Sequence, residues 1–226
     1  MNALQRPGAA WVLMCALLAA GALTVAALGD AAPMGATAVF GVAGTANVAP
    51  TSELLDWQPM LAWSEPWRWW TAALVHLSRG HLLANLAGCV VVAAFGWTAR
   101  IGWRLTLAWF VAWPLGHLAL LVQPQLTHYG GLSGLLHAGV AIAAAGLVWL
   151  GTGRQRWIGA AVLLGLVVKV IGERPWLGPV QQWPGWDIGI APIAHATGLA
   201  AGLICAAVAC ATAGSDDHAL RRGTMP

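Results

Sequence analysis

The chain has 226 residues, of which 59% are hydrophobic and only 8% are charged. A soluble domain carries roughly 25% charged residues, so this chain lacks the polar surface that a soluble protein needs. The composition therefore excludes a soluble enzyme and a disordered tail. The formal net charge of +3 is too small for a nucleic-acid-binding surface, and we expect no nucleic-acid partner. The class that remains is a polytopic membrane protein, with the lipid bilayer as its surroundings.

The apolar residues form continuous runs of about 20 residues, which is the length that an α-helix needs to cross a bilayer. The runs do not alternate apolar with polar residues, and this excludes a membrane β-barrel. The sequence predicts an all-α bundle of six transmembrane helices, at about residues 9–29, 80–99, 103–122, 131–150, 157–174 and 188–212. We expect a single membrane domain in which residues 30–79 form a membrane-associated loop on the outer side.

The first apolar run could also be a cleaved signal peptide, because Arg6 precedes it and alanine-rich sequence follows. Its apolar core, residues 9–29, is longer than the roughly 7–15 residues of a signal-peptide core. We therefore expect the first helix to be retained.

The basic residues predict the orientation of the helices. Seven of the eleven Lys and Arg residues lie at alternate ends of the runs, namely Arg6, Arg100, Arg104, Arg154, Arg156, Arg221 and Arg222. Because loops rich in basic residues stay in the cytoplasm, this side and both termini are predicted to be cytoplasmic. The opposite side is then the outer side.

Several polar side chains fall within the predicted helices, where such groups are costly unless they serve a function. His81 and Asn85 lie one turn apart near the outer end of the second helix, and Ser133 lies in the first turn of the fourth. His195 lies about seven residues into the sixth helix, or about 10 Å at the helical rise. These groups are therefore predicted to meet at one shallow level below the outer surface.

The residues around Ser133 suit acyl transfer. Residues 130–134 read Gly-Gly-Leu-Ser-Gly, and glycines at the start of a helix allow a tight turn beside free backbone N–H groups. A serine hydroxyl becomes nucleophilic when a base removes its proton, and His195 can be that base if the fourth and sixth helices touch. Gly198 and Gly202 form a ridge of small residues that permits this contact.

Each of these features also has a purely structural interpretation. A G-x-S-G string can serve helix packing, a His/Asn pair can bridge two helices, and a lone transmembrane histidine beside glycines is more often structural. Their occurrence together, in order and at one depth, favours the chemical interpretation. His81 and Asn85 would then donate hydrogen bonds to a tetrahedral oxyanion.

These motifs together resemble the rhomboid family of intramembrane serine proteases. They are H-x-x-x-N at residues 81–85, G-x-S-G at 131–134 and H-x-x-G-x-x-x-G at 195–202. The resemblance implies that Ser133 is the nucleophile and His195 the base of a Ser-His dyad without a third carboxylate. It also implies an oxyanion hole formed by His81, Asn85 and the Ser133 amide. The residues expected to support this site are Gly131, Gly134, His137, Gly198 and Gly202.

One position departs from the family pattern, since many rhomboids carry a tyrosine where this chain has His137. His137 could stack under His195 as that tyrosine does, or it could titrate and assist proton transfer; we favour stacking. The string Gly-Leu-Ser-Gly-Leu-Leu-His and the compact six-helix form resemble the rhombosortase branch. This implies substrates with a C-terminal sorting tail, which consists of a Gly-Gly-type motif, a transmembrane helix and a basic end. We accordingly expect cleavage near the outer face of a bacterial inner membrane.

The remaining polar residues of the predicted helices do not point to catalysis. Lys169 and Glu173 are expected to pair or to snorkel rather than to catalyse, with substrate contact left open. The four cysteines lie in apolar runs without a C-x-x-C pair, and we predict neither a metal nor a cofactor.

Three alternative functions remain open. They are a rhomboid protease of other single-span substrates, a non-catalytic rhomboid-like protein that binds transmembrane helices, and a haem protein. Haem would need axial ligands among His81, His117, His137 and His195.

Overall fold

Six helices in the described part of the chain are long and apolar enough to cross a membrane. The computed structural model describes residues 7–30 and 50–223. Arg6, residues 31–49 of the predicted outer loop, and the side chains of Arg221 and Arg222 lie outside the described residues. Within those limits the prediction of an all-helical bundle with six transmembrane helices is confirmed.

The described chain forms eight α-helices. Six of them span the bilayer, and two short ones, α2 and α3, lie between the first two spans. Their bounds are α1 (Ala9–Asp30), α2 (Pro50–Leu55), α3 (Arg68–Thr71), α4 (Arg79–Thr98), α5 (Trp103–Leu118), α6 (Ser133–Leu150), α7 (Arg154–Gly172) and α8 (Pro192–Gly223). Single 3-10 turns occur at Pro59–Leu61, Ala72–Leu74 and Ala119–Val122.

The sixth transmembrane helix begins later than the sequence predicts. Pro192 is its first residue, a position that suits proline because the first helical N–H has no partner within the helix. Residues 188–191 before it are not helical, and Ile190 forms an isolated antiparallel bridge with Gln181. His195 therefore lies in the first turn of α8, and the expected depth of seven residues was wrong.

The central helix of the bundle is α6, which packs against α4, α5, α7 and α8. Its sequence is rich in alanine and glycine, and the run from Ala141 to Ala145 is buried. By contrast, α7 exposes most of its surface, as a helix at the lipid boundary does. Small residues let α6 accept neighbours on several sides at short interaxial distance.

The closest helix contact in the site region joins α6 and α8. A Cβ atom at Gly198 would fall on the carbonyl oxygen of Gly134, and one at Gly202 would lie 2.6 Å from the carbonyl oxygen of Ala138. Only glycine therefore fits at these two positions of α8 without a shift of backbone. This contact brings the first turn of α8 to the first turn of α6.

The first transmembrane helix packs into the bundle against α4 and α5. The indole N–H of Trp11 donates to the carbonyl oxygen of Val92 over 2.9 Å, and its ring stacks on Trp109 at 4.4 Å between centroids. Buried tryptophan packing of this kind suits a helix that is retained, and retention stays a prediction.

A buried arginine organises the segment between α1 and α4. Arg68 is 2% exposed, and its Nη1 donates to the Asp56 carboxylate and to the carbonyl oxygens of Glu53 and Asp56, at 2.7–3.0 Å. Asp56 also accepts from His128 Nδ1 over 2.7 Å. Backbone hydrogen bonds between Trp57 and Tyr129 add a second tie to the chain that leads into α6. The segment between α1 and α4 thus holds the start of α6 in place.

The α6–α8 contact predicts a contrast between two glycine substitutions. Gly198→Ala must push the Gly134 backbone aside, and overpacking of this kind costs about 1–3 kcal/mol. Gly165→Ala on α7 is the matched control, because no described atom lies within 4 Å of a Cβ there. We expect a lower thermal unfolding midpoint in detergent for Gly198→Ala and an unchanged or higher one for Gly165→Ala, since alanine favours the helix. Equal midpoints would contradict the close contact.

Candidate active site

Ser133 is the first residue of α6, and the turn before it depends on Gly131. Gly131 has φ of 125°, a conformation that residues with a Cβ rarely adopt. A Cβ there would also lie 2.5 Å from Cε1 of His81. The Gly131 N–H donates to the carbonyl oxygen of Ala72 over 3.0 Å, and its own carbonyl accepts from the Tyr129 hydroxyl over 3.2 Å. Glycine at this position therefore lets the start of α6 lie directly against α4.

The Ser133 hydroxyl is in hydrogen-bond contact with His195. The distance from Ser133 Oγ to His195 Nε2 is 3.0 Å. This is within the range that direct proton transfer between a hydroxyl and a base requires. His195 is buried, so its ring is held by packing rather than free in solvent.

His137 lies under the His195 ring. The two ring centroids are 4.1 Å apart and the ring planes differ by 9°. His137 Nδ1 contacts the Ser133 carbonyl oxygen over 2.6 Å. The stacking of His137 under His195 that the sequence favours is present in the structure.

His81 and Asn85 present unpaired polar atoms beside Ser133. Both side chains are buried, and His81 Nδ1 and Asn85 Nδ2 have no hydrogen-bond partner among the described residues. Buried polar atoms without partners are rare because they cost desolvation free energy. Both residues line the same cavity as Ser133 and His195.

A second histidine lies beside His81. The His76 ring lies 4.9 Å from that of His81, between ring centroids. Burial, which disfavours the charged imidazolium, lowers the pKa of His76 to about 4. His76 is therefore uncharged at physiological pH and does not repel a proton on His81.

Glu173 is the residue that sequence reasoning missed. It follows the last residue of α7, and its Oε2 lies 2.6 Å from Nδ1 of His195, on the side of the ring opposite Ser133. Its Oε1 accepts from Lys169, so the expected Lys169–Glu173 pair is present. The expectation of a dyad without a third carboxylate does not describe this geometry, because a carboxylate does contact the histidine. The sequence signal for Glu173 is its depth, because α7 ends at the level where α4, α6 and α8 begin. That depth places Glu173 near the site but does not indicate its contact with His195.

The carboxyl group of Glu173 is ionised at physiological pH. Burial alone would raise its pKa, but the hydrogen bonds and charges of His195 and Lys169 outweigh this effect and lower the pKa to about 2. Glu173 therefore carries a full negative charge beside His195.

The site lines a large cavity that continues into the helix bundle. Its volume is about 1010 Å³, at the upper end of the range for small-molecule sites. It is lined by polar groups of α4, α6 and α8 and by Trp183 and Trp186 of the α7–α8 connection. A cavity of this size can hold a stretch of polypeptide.

The site histidines do not suit a metal ion or haem. His137, Glu173 and His195 place possible ligand atoms within 4.8 Å of one another. However, the two imidazole planes are nearly parallel, so their nitrogen lone pairs run side by side instead of converging on one ion. A ring separation of 4.1 Å leaves no room for a haem between them. His117 lies outside this cavity, with Nδ1 2.6 Å from the carbonyl oxygen of Trp69.

The comparison with protein families decides the class of this protein. The model of the Rhomboid domain matches residues 64–212, which is more than half of the chain. The chain belongs to the rhomboid family. Members of this family are intramembrane serine proteases that act on transmembrane substrates, and this rhomboid is an integral, multi-pass membrane protein. No curated protein matches the chain.

The stacked histidines predict that this rhomboid needs a flat ring at position 137. His137→Phe keeps a ring under His195, and we expect it to react with a fluorophosphonate at no less than about a tenth of the wild-type rate. His137→Ala removes that support, and a catalytic group displaced by about 1 Å can cost roughly 10²-fold in rate. The rates are measured by single-turnover labelling. Equal losses in both variants would favour the titrating role of His137.

Proposed function

We propose that the protein is an intramembrane serine endopeptidase in which Ser133 is the nucleophile and His195 the general base. The observation that supports this proposal is the 3.0 Å contact between Ser133 Oγ and His195 Nε2, in a cavity that His81 and Asn85 also line. A serine and a histidine in contact could be a packing detail elsewhere. Here they lie beside buried nitrogen atoms without hydrogen-bond partners among the described residues, in a cavity large enough for a peptide. This arrangement provides the nucleophile, the base and the hydrogen-bonding groups that acyl transfer requires.

The proposed reaction has two stages. In the first, His195 Nε2 takes the Ser133 proton as Oγ attacks the scissile carbonyl carbon, and then gives that proton to the leaving amine as the C–N bond breaks. In the second, water attacks the acyl-enzyme with His195 again as base, and Ser133 Oγ leaves with the proton. The products are two peptide chains with a new carboxylate and a new amine.

The oxyanion of each tetrahedral intermediate would be bound by donors from two helices. The Ser133 N–H is free of an intrahelical partner because Ser133 begins α6. Asn85 Nδ2 is buried and without a partner among the described residues, and His81 lies one turn away on α4. Donors that are already in place cost no reorganisation as the negative charge develops.

The proposed substrates are membrane proteins with a C-terminal sorting tail that contains a Gly-Gly-type motif. This part of the proposal is supported by the string Gly-Leu-Ser-Gly-Leu-Leu-His at residues 131–137. Physical chemistry adds a reason, because a helical substrate must unwind before its peptide bond can reach Ser133. Each glycine lowers the cost of unwinding by about 1 kcal/mol relative to alanine. A glycine pair at the membrane surface is thus readily extended.

We further propose that cleavage occurs near the outer face of a bacterial inner membrane, with both termini in the cytoplasm. Ser133, His195 and His81 all lie in the first turn of their helices, at one end of the bundle. Arg100, Arg104, Arg154 and Arg156 lie at the connections of the opposite end. Since basic connections stay in the cytoplasm, the site end faces outward.

The nucleophile is tested by covalent labelling. A fluorophosphonate should label the wild type, and Ser133→Ala or His195→Ala should reduce labelling at least about 10³-fold, because the two residues act as a unit. Ser64→Ala is the matched control, since Ser64 is exposed on the outer segment and should leave labelling unchanged. Labelling that persists in Ser133→Ala would contradict the proposal. A rhomboid-like protein that only binds transmembrane helices would not be labelled at all.

The substrate class and the outward orientation are tested together in cells. A reporter domain joined to a Gly-Gly-type sorting tail should be released to the outer side by the wild type and not by Ser133→Ala. The matched reporter has both glycines replaced by leucine, which favours the helix, and we expect its cleavage to fall at least about 10-fold. Release is measured by fractionation and immunoblotting. Equal cleavage of both reporters would indicate a general rhomboid protease, and release into the cytoplasm would contradict the orientation.

A further inference from the structure

Five residues of the site form a closed ring of hydrogen bonds, which begins at the side chain of Ser133 and ends at its backbone. Ser133 Oγ contacts His195 Nε2 over 3.0 Å, and His195 Nδ1 contacts Glu173 Oε2 over 2.6 Å. Glu173 Oε1 accepts from Lys169 Nζ, which also lies 3.0 Å from His137 Nε2. His137 Nδ1 returns to the backbone of Ser133, 2.6 Å from its carbonyl oxygen. The ring joins α6, α7 and α8 at the level of the nucleophile.

The donor and acceptor capacities of these groups place the protons on both imidazoles. An ammonium group can only donate and a carbonyl oxygen can only accept, so His137 accepts from Lys169 at Nε2 and donates from Nδ1 to Ser133. An ionised carboxylate can only accept, so His195 donates from Nδ1 to Glu173. A neutral His195 ring then has its lone pair on Nε2, facing the Ser133 hydroxyl. This is the tautomer that a general base requires.

We propose that Glu173 is a positioning residue that completes a Ser133–His195–Glu173 triad, with Lys169 holding the carboxylate in place. This inference rests on the proposed serine-protease function. Glu173 holds the reactive tautomer of His195 and stabilises the imidazolium that forms when His195 takes the serine proton. The carboxylate itself stays ionised throughout, so no proton passes to it.

The C-terminal end of α7 places Glu173 beside His195. The helix ends at Gly172, and the N–H of Glu173 still donates to the Lys169 carbonyl oxygen over 3.0 Å. The chain then turns away through Arg174, which has φ of 50°. Glu173 is thus held by the last helical turn while its side chain reaches α8.

Lys169 determines which way the carboxylate faces. The Lys169–Glu173 pair lies i,i+4 on one helix, an arrangement that contributes little stability when it is exposed to solvent. Here Lys169 Nζ is bound on a second side by His137, which fixes the ammonium as well. With Oε1 tied to Lys169, Oε2 is left to face His195. An ion pair between Lys169 and Glu173 that only neutralised two charges would not require contacts with His137 and His195.

The test measures the second-order rate constant of fluorophosphonate labelling, together with kcat and KM for a cleaved substrate. Glu173→Gln removes the charge and keeps the shape, and we expect it to lower the labelling rate and kcat at least about 10²-fold with little change in KM. Glu53→Gln on the outer segment is the matched control. It makes the same chemical change outside the cavity and should leave the rates unchanged.

A double variant separates positioning from a structural role. If Glu173 acts through His195, then His195→Ala/Glu173→Gln should be no slower than His195→Ala alone. A merely structural role would make the two losses multiply, which would overturn the inference. Wild-type rates in Glu173→Gln would overturn it as well, while Ser133→Ala remained inactive and the proposed function stood. Labelling that persisted in Ser133→Ala would instead overturn the proposed function.

A third variant covers the case in which Glu173→Gln destabilises the fold. Glu173→Ala leaves space for a small carboxylate in the cavity, and added formate should raise its labelling rate several-fold, whereas sodium chloride of equal ionic strength should not. Rates are expressed per folded enzyme, determined by gel filtration and thermal melting. A labelling rate of folded Glu173→Ala that did not respond to formate would overturn the inference.

Discussion

The close approach of α6 and α8 is the constraint on which the rest of the site depends. Gly198 and Gly202 lie so near the α6 backbone that any Cβ would collide with it. Without that approach, the first turns of the two helices would be separated by the width of a side chain. Ser133 and His195 could not then come within hydrogen-bond distance. In a bilayer, where apolar burial does not drive helices together, such close packing is itself a main source of association.

The polar groups of the site lie in an apolar bundle, and most of them are paired with one another. His195, Glu173, Lys169 and His137 each contact at least one other member of the ring. In low-dielectric surroundings such a network is stable when each capacity is matched, and costly when one is left unmet. His81 Nδ1 and Asn85 Nδ2 are the exception, since neither has a hydrogen-bond partner among the described residues. Both side chains line the same cavity as Ser133.

The segment between α1 and α4 has a structural part in the site. Arg68 and Asp56 form a buried ion pair, and Asp56 also contacts His128 of the chain that leads into α6. Breaking one partner of a buried pair commonly costs about 3–5 kcal/mol, because the other charge remains buried. The turn before Ser133 is thereby held by the segment between α1 and α4, while Gly131 allows its approach to α4. Rigid support of this kind keeps the Ser133 hydroxyl in one position.

The sequence by itself determined the class, the number of helices and the candidates for catalysis, because these follow from local patterns. Apolar runs of the length of a bilayer predict spanning helices, and Ser133 and His195 occur in short motifs readable without a structure. The tertiary structure alone decided where α8 begins and that Glu173 faces His195. Glu173 lies 22 residues before His195 and four after Lys169, so its local pattern indicates only a helical ion pair. Its contact with His195 arises from the packing of α6, α7 and α8, which no local pattern encodes.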